Sequence, residues 1–86
     1  MEFKLSNHAK EEMTRRSVPW LLLETVLNNP DQVVTERGNL KAYQSLIDFG
    51  DGRRFLLRAI VDDTLEPATV VTVYRTSKIN KYWRLS

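Results

Sequence analysis

The chain has 86 residues, 13 of them Lys or Arg and 11 Asp or Glu, for a formal net charge of +2. That length makes one small domain, residues 1–86, which buries a smaller share of its surface than a larger domain does. It has no cysteine, no run near the length of a membrane span and no apolar leader-like region in MEFKLSNHAK, so a cytoplasmic protein without disulfide, thiolate metal site or other cofactor is expected.

Phe3 and Leu5 alternate with Lys4, which predicts a short strand or an extended lead-in. Ser6 or Asn7 can cap a helix, because a side-chain oxygen there accepts a free amide hydrogen of the first turn. The helix is expected to run to about Arg16, with Glu11 and Glu12 early and Arg15 and Arg16 late, matching the macrodipole. At roughly 100° per residue, Ala9 and Met13 share its apolar stripe, with His8, Glu12 and Arg15 on a neighbouring face. Ser17 and Pro19 punctuate before a second helix from Trp20 to about Leu27, which turns Leu23, Val26 and Leu27 inward. Asn28-Asn29-Pro30 stops it, since a residue before proline avoids the helical region.

From there the period changes. Gln32 to Glu36 reads as a strand, Arg37-Gly38-Asn39 as a turn, Leu40 to Phe49 and Arg53 to Asp62 as strands joined by Gly50-Asp51-Gly52, and Ala68 to Thr76 as the last strand. Asp51-Gly52 is a hairpin signal, because a type I′ turn needs positive φ at both central residues. The expected fold is α+β: an N-terminal helical pair packed on a twisted four-stranded antiparallel sheet, followed by a basic, aromatic tail.

A two-residue turn at Asp51-Gly52 sets a register in which Leu46 faces Leu57, Ala42 faces Val61 and Ser45 faces Arg58. With Arg58 beside Thr72, the helices cover a face carrying Ala42, Leu46, Leu57, Ala59, Val61, Val71 and Val73. The opposite face carries Tyr43, Ser45, Arg58, Thr72 and Tyr74 together with Ile47, Leu56, Ile60 and Val70. A slip of one residue exchanges the two faces. The second face is too apolar for water and too polar for an ordinary core, so it calls for a cover: the tail, a partner chain (a second copy in a homodimer included) or a ligand.

Residues 75–86 carry Arg75, Lys78, Lys81 and Arg84 and no acid, +4 in all, while the other 74 residues sum to −2. Interleaved with Tyr74, Tyr82 and Trp83, these cations suit phosphates and unpaired bases. They equally suit a solvated segment whose rings close the core. His8, the one histidine, is a candidate acid or base beside a phosphate, or a capping residue. Arg58 sits mid-strand among apolar neighbours, where a charge needs an anion or a carboxylate; otherwise its stem packs flat and its head reaches water. Arg16 poses the same alternatives from the helix side. Lys78 and Tyr82 share a face if the tail is helical. Asp62, Asp63 and Glu66 read as a solvated loop, and no metal site is expected.

His8-Ala9, Met13 and Arg16, then Val26-Leu27-Asn28-Asn29-Pro30-Asp31 and Val70-Val71-Thr72-Val73-Tyr74-Arg75, resemble the family catalogued as domain of unknown function 4258. The resemblance covers nearly the whole chain. It implies kinship with RelE-like and barnase-like ribonuclease toxins: helices first, then a twisted antiparallel sheet with an RNA site on it, and neutralisation by a cognate antitoxin. Matched by position, His8, Arg16, Thr72 and Tyr74 fit the family pattern. Where members carry an arginine four residues after the histidine, this chain has Glu12, which implies that Arg15 or another cation substitutes or that the enzyme is weakened.

The expectation is therefore a metal-independent endoribonuclease toxin acting on mRNA. A ribose 2′-hydroxyl attacks the adjacent phosphate; His8 is acid or base, Arg16, Arg58 and Lys78 stabilise charge, and Tyr82 orients or donates a proton. Tyr43, Thr72, Tyr74, Arg75, Lys81, Trp83 and Arg84 contact the RNA. For His8 and Arg58 to meet, the first helix must lie at the sheet edge. The rivals are a binding module that holds RNA or protein through the same face without cleaving it, and an antitoxin-like or structural subunit.

Overall fold

The computed structural model describes residues 2–48 and 50–85. Strand β1 (Phe3–Leu5) leads into helix α1 (Asn7–Arg15), α2 (Trp20–Asn28), strands β2 (Gln32–Thr35), β3 (Leu40–Asp48), β4 (Arg54–Asp62) and β5 (Ala68–Thr76), and a single helical turn, α3 (Ile79–Tyr82). Ser6 caps α1: its Oγ accepts the Ala9 N–H at 3.0 Å. The helix ends with the Ser17 N–H donating to the Thr14 carbonyl and the Val18 N–H to the Met13 carbonyl, a Schellman closure. That closure needs a left-handed residue, and Ser17 takes it at φ 55° although glycine would adopt it without strain. Pro19 opens α2, and the Asn29-Pro30 step closes it.

The sheet has five strands in the order β1-β5-β4-β3-β2, and it is mixed, because β1 runs parallel to β5. The expectation of four antiparallel strands is thereby corrected: the Phe3–Leu5 lead-in joins the sheet as its fifth strand. β1 stops at Leu5, opposite Val70. Ser6 then bonds to Val70 and Val71, and α1 continues along β5 where the strand left off. The first helix thus lies at the sheet edge, while α2 packs on β3 and β4.

Register is the second correction. Asp48 pairs with Arg54, Leu46 with Leu56, Ala42 with Ile60 and Gln44 with Arg58, one residue from the expected pairing. The turn is wider than two residues because Asp48 accepts the Gly50 N–H and Asp51 accepts the Arg53 N–H, two side-chain-closed turns in succession. Phe49, the expected end of its strand, lies outside the described residues.

The slip exchanges the faces of β3 while β4 keeps its own. Tyr43, Ser45 and Ile47 lie on the helix side, with Leu57, Ala59 and Val61; Ala42, Gln44 and Leu46 lie on the open side, with Leu56, Arg58 and Ile60. A bulge between Ile60 and Val61 shifts β5, so Val70 and Val73 both enter the core and Val71 is left 36% exposed. The core joins those residues to Ala9, Leu23, Val26 and Leu27, all buried. No helix among the described residues is long and apolar enough to cross a membrane.

Candidate functional site

The open face is organised by Arg58, 2% exposed at the centre of β4. A guanidinium there needs its charge and its donors answered, since an unpaired buried cation costs several kcal/mol. Its Nε donates to Gln44 Oε1 at 2.8 Å, one terminal nitrogen to Glu36 Oε1 at 2.7 Å, and the other to the Tyr74 hydroxyl. The Tyr82 ring lies over it, 4.3 Å from ring centre to guanidinium carbon. Gln44, itself fully buried, donates onward to Gln32 Oε1 and to the Tyr82 carbonyl.

The tail is what covers this face. Gln32 donates to the Arg84 carbonyl and accepts the Arg84 N–H, which straps the chain after α3 across β2 and β3. Of the expected covers, the tail is therefore in place. Beside it a groove of about 270 Å³ stays open, lined by Glu36, Ile60, Val71, Thr72 and Tyr74.

Arg16 reaches the same group from the helix layer. Its Nε donates to Glu12 at 3.0 Å, and its guanidinium carbon stands 6.0 Å from the centre of the Tyr74 ring, to which Arg58 stands at 5.7 Å. Tyr74 and Tyr82 meet edge to face with centroids 6.2 Å apart. The position of α1 beside β5 makes this reach possible. Glu12 gathers Arg15 and Arg16 onto one carboxylate and, through Oε1, lies 3.7 Å from His8 Nε2.

The two tyrosines titrate in opposite directions. Burial pushes the Tyr74 hydroxyl up, opposed by Arg58, whereas hydrogen bonding to Lys81, aided by Tyr74 and Arg58, brings Tyr82 down. Glu12 is held below the ordinary carboxyl range by hydrogen bonds from Arg15 and then Arg16. A cationic centre thus has beside it one phenol whose pKa is lowered and one whose pKa is raised, an asymmetry that suits proton transfer.

Arg16, Arg58, Tyr74 and Tyr82 thus come together. His8 is linked to this group through Glu12, whose carboxylate lies 3.7 Å from His8 Nε2 and accepts from Arg16 Nε. Its side chain is 60% exposed. Tyr43 lies on the helix side of the sheet, away from the Tyr74 cluster, buried against Phe3 with its hydroxyl donating to Asp63. Lys78 begins α3 and is exposed, its N–H bonded to Thr76 Oγ1; Lys81 is exposed with its ammonium 5.2 Å from the Tyr82 ring. Trp83 is half-buried, and Arg84 acts through its backbone. Arg75 turns away from the Tyr74 cluster to stack over Phe55 at 5.1 Å. In the acidic loop, Asp63 pairs with Lys41 and Asp62 closes a turn onto Thr64.

Glu36, Gln44 and Gln32 were absent from the sequence-based set. Glu36 is the last residue of its expected strand, and Gln44 faces Arg58 only in the register that the chain adopts. The chain matches no protein-family model, no curated protein and no solved structure.

Proposed function

We propose that this protein is a small metal-independent endoribonuclease of the RelE-like or barnase-like kind, which cuts mRNA at the Arg58–Tyr74–Tyr82 cluster. The observation that carries this reading is the approach of both Arg16 and Arg58 to the Tyr74 ring, with Tyr82 over Arg58. Two guanidiniums next to one ring provide for the charge that builds on a phosphate under attack by the neighbouring 2′-hydroxyl. Tyr82 in its phenolate form takes the proton from that hydroxyl, and the Tyr74 phenol gives its own to the departing 5′ oxygen. His8 has no part in this scheme. Thr72 lines the groove in which the strand would lie, and Lys78, which caps α3, and Lys81, within it, serve as phosphate contacts. On this reading the protein works in the cytoplasm and is neutralised by a cognate antitoxin.

The experiment is incubation of purified protein with mRNA in EDTA, alongside Tyr82→Phe and Arg16→Gln. Cleavage by the wild type that falls at least tenfold in both variants supports the enzyme; intact RNA with the wild type sinks it.

One observation favours the rival binding module: the donors of Arg58 are already committed to Gln44, Glu36 and Tyr74, so its guanidinium also serves as an internal strut. RNA that is bound with micromolar affinity yet never cut decides for that reading.

A further inference from the structure

The two edges of the sheet are finished differently. On the β1 side, α1 takes over along β5 after three residues of strand. On the other side β2 is the last strand, paired only with β3. The Glu36 N–H donates to the Leu40 carbonyl, which fixes the alternation of that ladder. Counting back in twos, Val34 and Gln32 turn their amides and carbonyls toward β3, and Val33 and Thr35 turn theirs outward. Among the described residues nothing bonds to those outward groups. The Val33 side chain beside them is 48% exposed.

Two charges bracket this stretch. Asp31 precedes it and Arg37 follows it, both exposed, and neither has an ion-pair partner among the described residues. Asp31 is anchored through Oδ2, which accepts the Leu46 N–H at 3.0 Å.

Outward amides and carbonyls on an edge are answered by another strand. The spacing of the charges says which. When two copies of β2 meet antiparallel about a two-fold axis at Val34, Val33 of each lies opposite Thr35 of the other, and each such pair exchanges N–H···O=C bonds in both directions. The same register sets Arg37 of each copy opposite Asp31 of the other, two opposite-charge pairs from one self-complementary segment, DQVVTER. Registers centred on Val33 or Thr35 engage fewer outward groups and set Arg37 against Asn29 or Val33. Residues opposite one another in a ladder point to the same face. Both helix layers therefore lie on one side of a continuous sheet, five strands from each copy, and both Tyr74 clusters on the other.

We infer that β2 is the interface of a homodimer, in which a second copy of this chain extends the sheet through Val33 and Thr35 and is held in register by the Arg37–Asp31 pairs. The contact is short, so the dimer belongs to the weak, concentration-dependent class, with a dissociation constant on the order of 100 μM.

The test is sedimentation equilibrium of the intact protein from about 10 μM to about 1 mM, which spans that constant. The mass should climb from monomer to dimer, less steeply as salt screens the exposed charge pairs. A monomer throughout overturns the inference. Thr35→Pro removes a donor that the single sheet does not use, so proline is tolerated there and the far-ultraviolet circular dichroism should not change. Dimerisation should weaken about thirtyfold or more, because one hydrogen bond is lost on each side of the axis. Arg37→Glu places like charges opposite one another twice and should weaken it about tenfold. A dimer that persists unchanged in both variants overturns the inference.

Register is read by a single thiol. The chain has no cysteine, so Val34→Cys supplies one per copy, opposite itself only in the proposed pairing, with about 4.5 Å between the two Cα atoms. Mild oxidation should lock it as a covalent dimer at least tenfold faster than Lys10→Cys, exposed on α1; equal rates count against the pairing. A peptide of residues 30–38 should compete for the edge and its scrambled form should not. Equal competition by both means that the edge accepts any strand, and the assignment to a second copy fails. RNA cleavage enters none of these measurements, so their outcome is separate from that of the ribonuclease reading.

Discussion

The Tyr82 ring covers the Arg58 guanidinium at 4.3 Å, so the last helical turn of the chain caps a cation buried at the centre of the sheet. Tyr82→Phe keeps this stacking and loses only the hydroxyl. The urea midpoint should barely move, while on the proposed ribonuclease reading RNA cleavage should fall by about a hundredfold, the usual contribution of a proton-transfer group. Tyr82→Ala should lower both.

Glu36 answers the charge of Arg58 at 2.7 Å. Glu36→Ala leaves a buried arginine without its carboxylate and should cost about 3 kcal/mol in urea denaturation. Arg58→Met in the Glu36→Ala background should restore part of that stability, because no buried charge is then left over. An additive double variant would show that the pair is not coupled.

Acid should weaken the fold through Glu12. Hydrogen bonds from Arg15 and then Arg16 hold its pKa below the ordinary 4.5. A lowered folded pKa gives a contribution that is complete above the unfolded value and fades as pH falls through the folded one. Melting temperature should therefore decline below about pH 4.5, and Glu12→Gln should flatten part of that decline. Asp51, lowered by hydrogen bonding to Arg53, accounts for another part and is tested by Asp51→Asn.

Cleavage should respond at the alkaline end. Tyr82 ionises below the ordinary 10.0 and Tyr74 above it. If Tyr82 is the base, the rate should climb as pH approaches its lowered pKa from neutrality and decline once Tyr74 gives up its proton. A Tyr82→Phe profile that keeps the same climb removes Tyr82 from that role.

Tyr43→Phe deletes the hydrogen bond to Asp63 on the helix side of the sheet. Loss of about 1 kcal/mol in denaturation is expected, with no change in RNA affinity. Weaker RNA binding would contradict the placement of Tyr43 away from the open face.

How much of this the sequence disclosed depended on the range of each signal. Ser6 as a cap, the Asn29-Pro30 stop and the bounds of β5 are local, and each emerges where the residues place it. Arg58 was conspicuous because a cation amid Leu and Ile demands partners. Their identity depended on a register that the Asp51-Gly52 signal misplaced by one, since Asp48 also closes a turn onto Gly50. That single step put Tyr43 on the wrong side and hid Gln44. The parallel pairing of Phe3–Leu5 with Ala68–Val70 joins segments at opposite ends of the chain, and no short-range pattern encodes it.

The brevity of β1 has a broader effect. A full-length strand there would wall off the flank of β5, and Arg16 would be confined to one layer of the molecule. Three residues of strand followed by a helix seal the flank against adhesion to other chains while letting a cation pass around the rim to the far side.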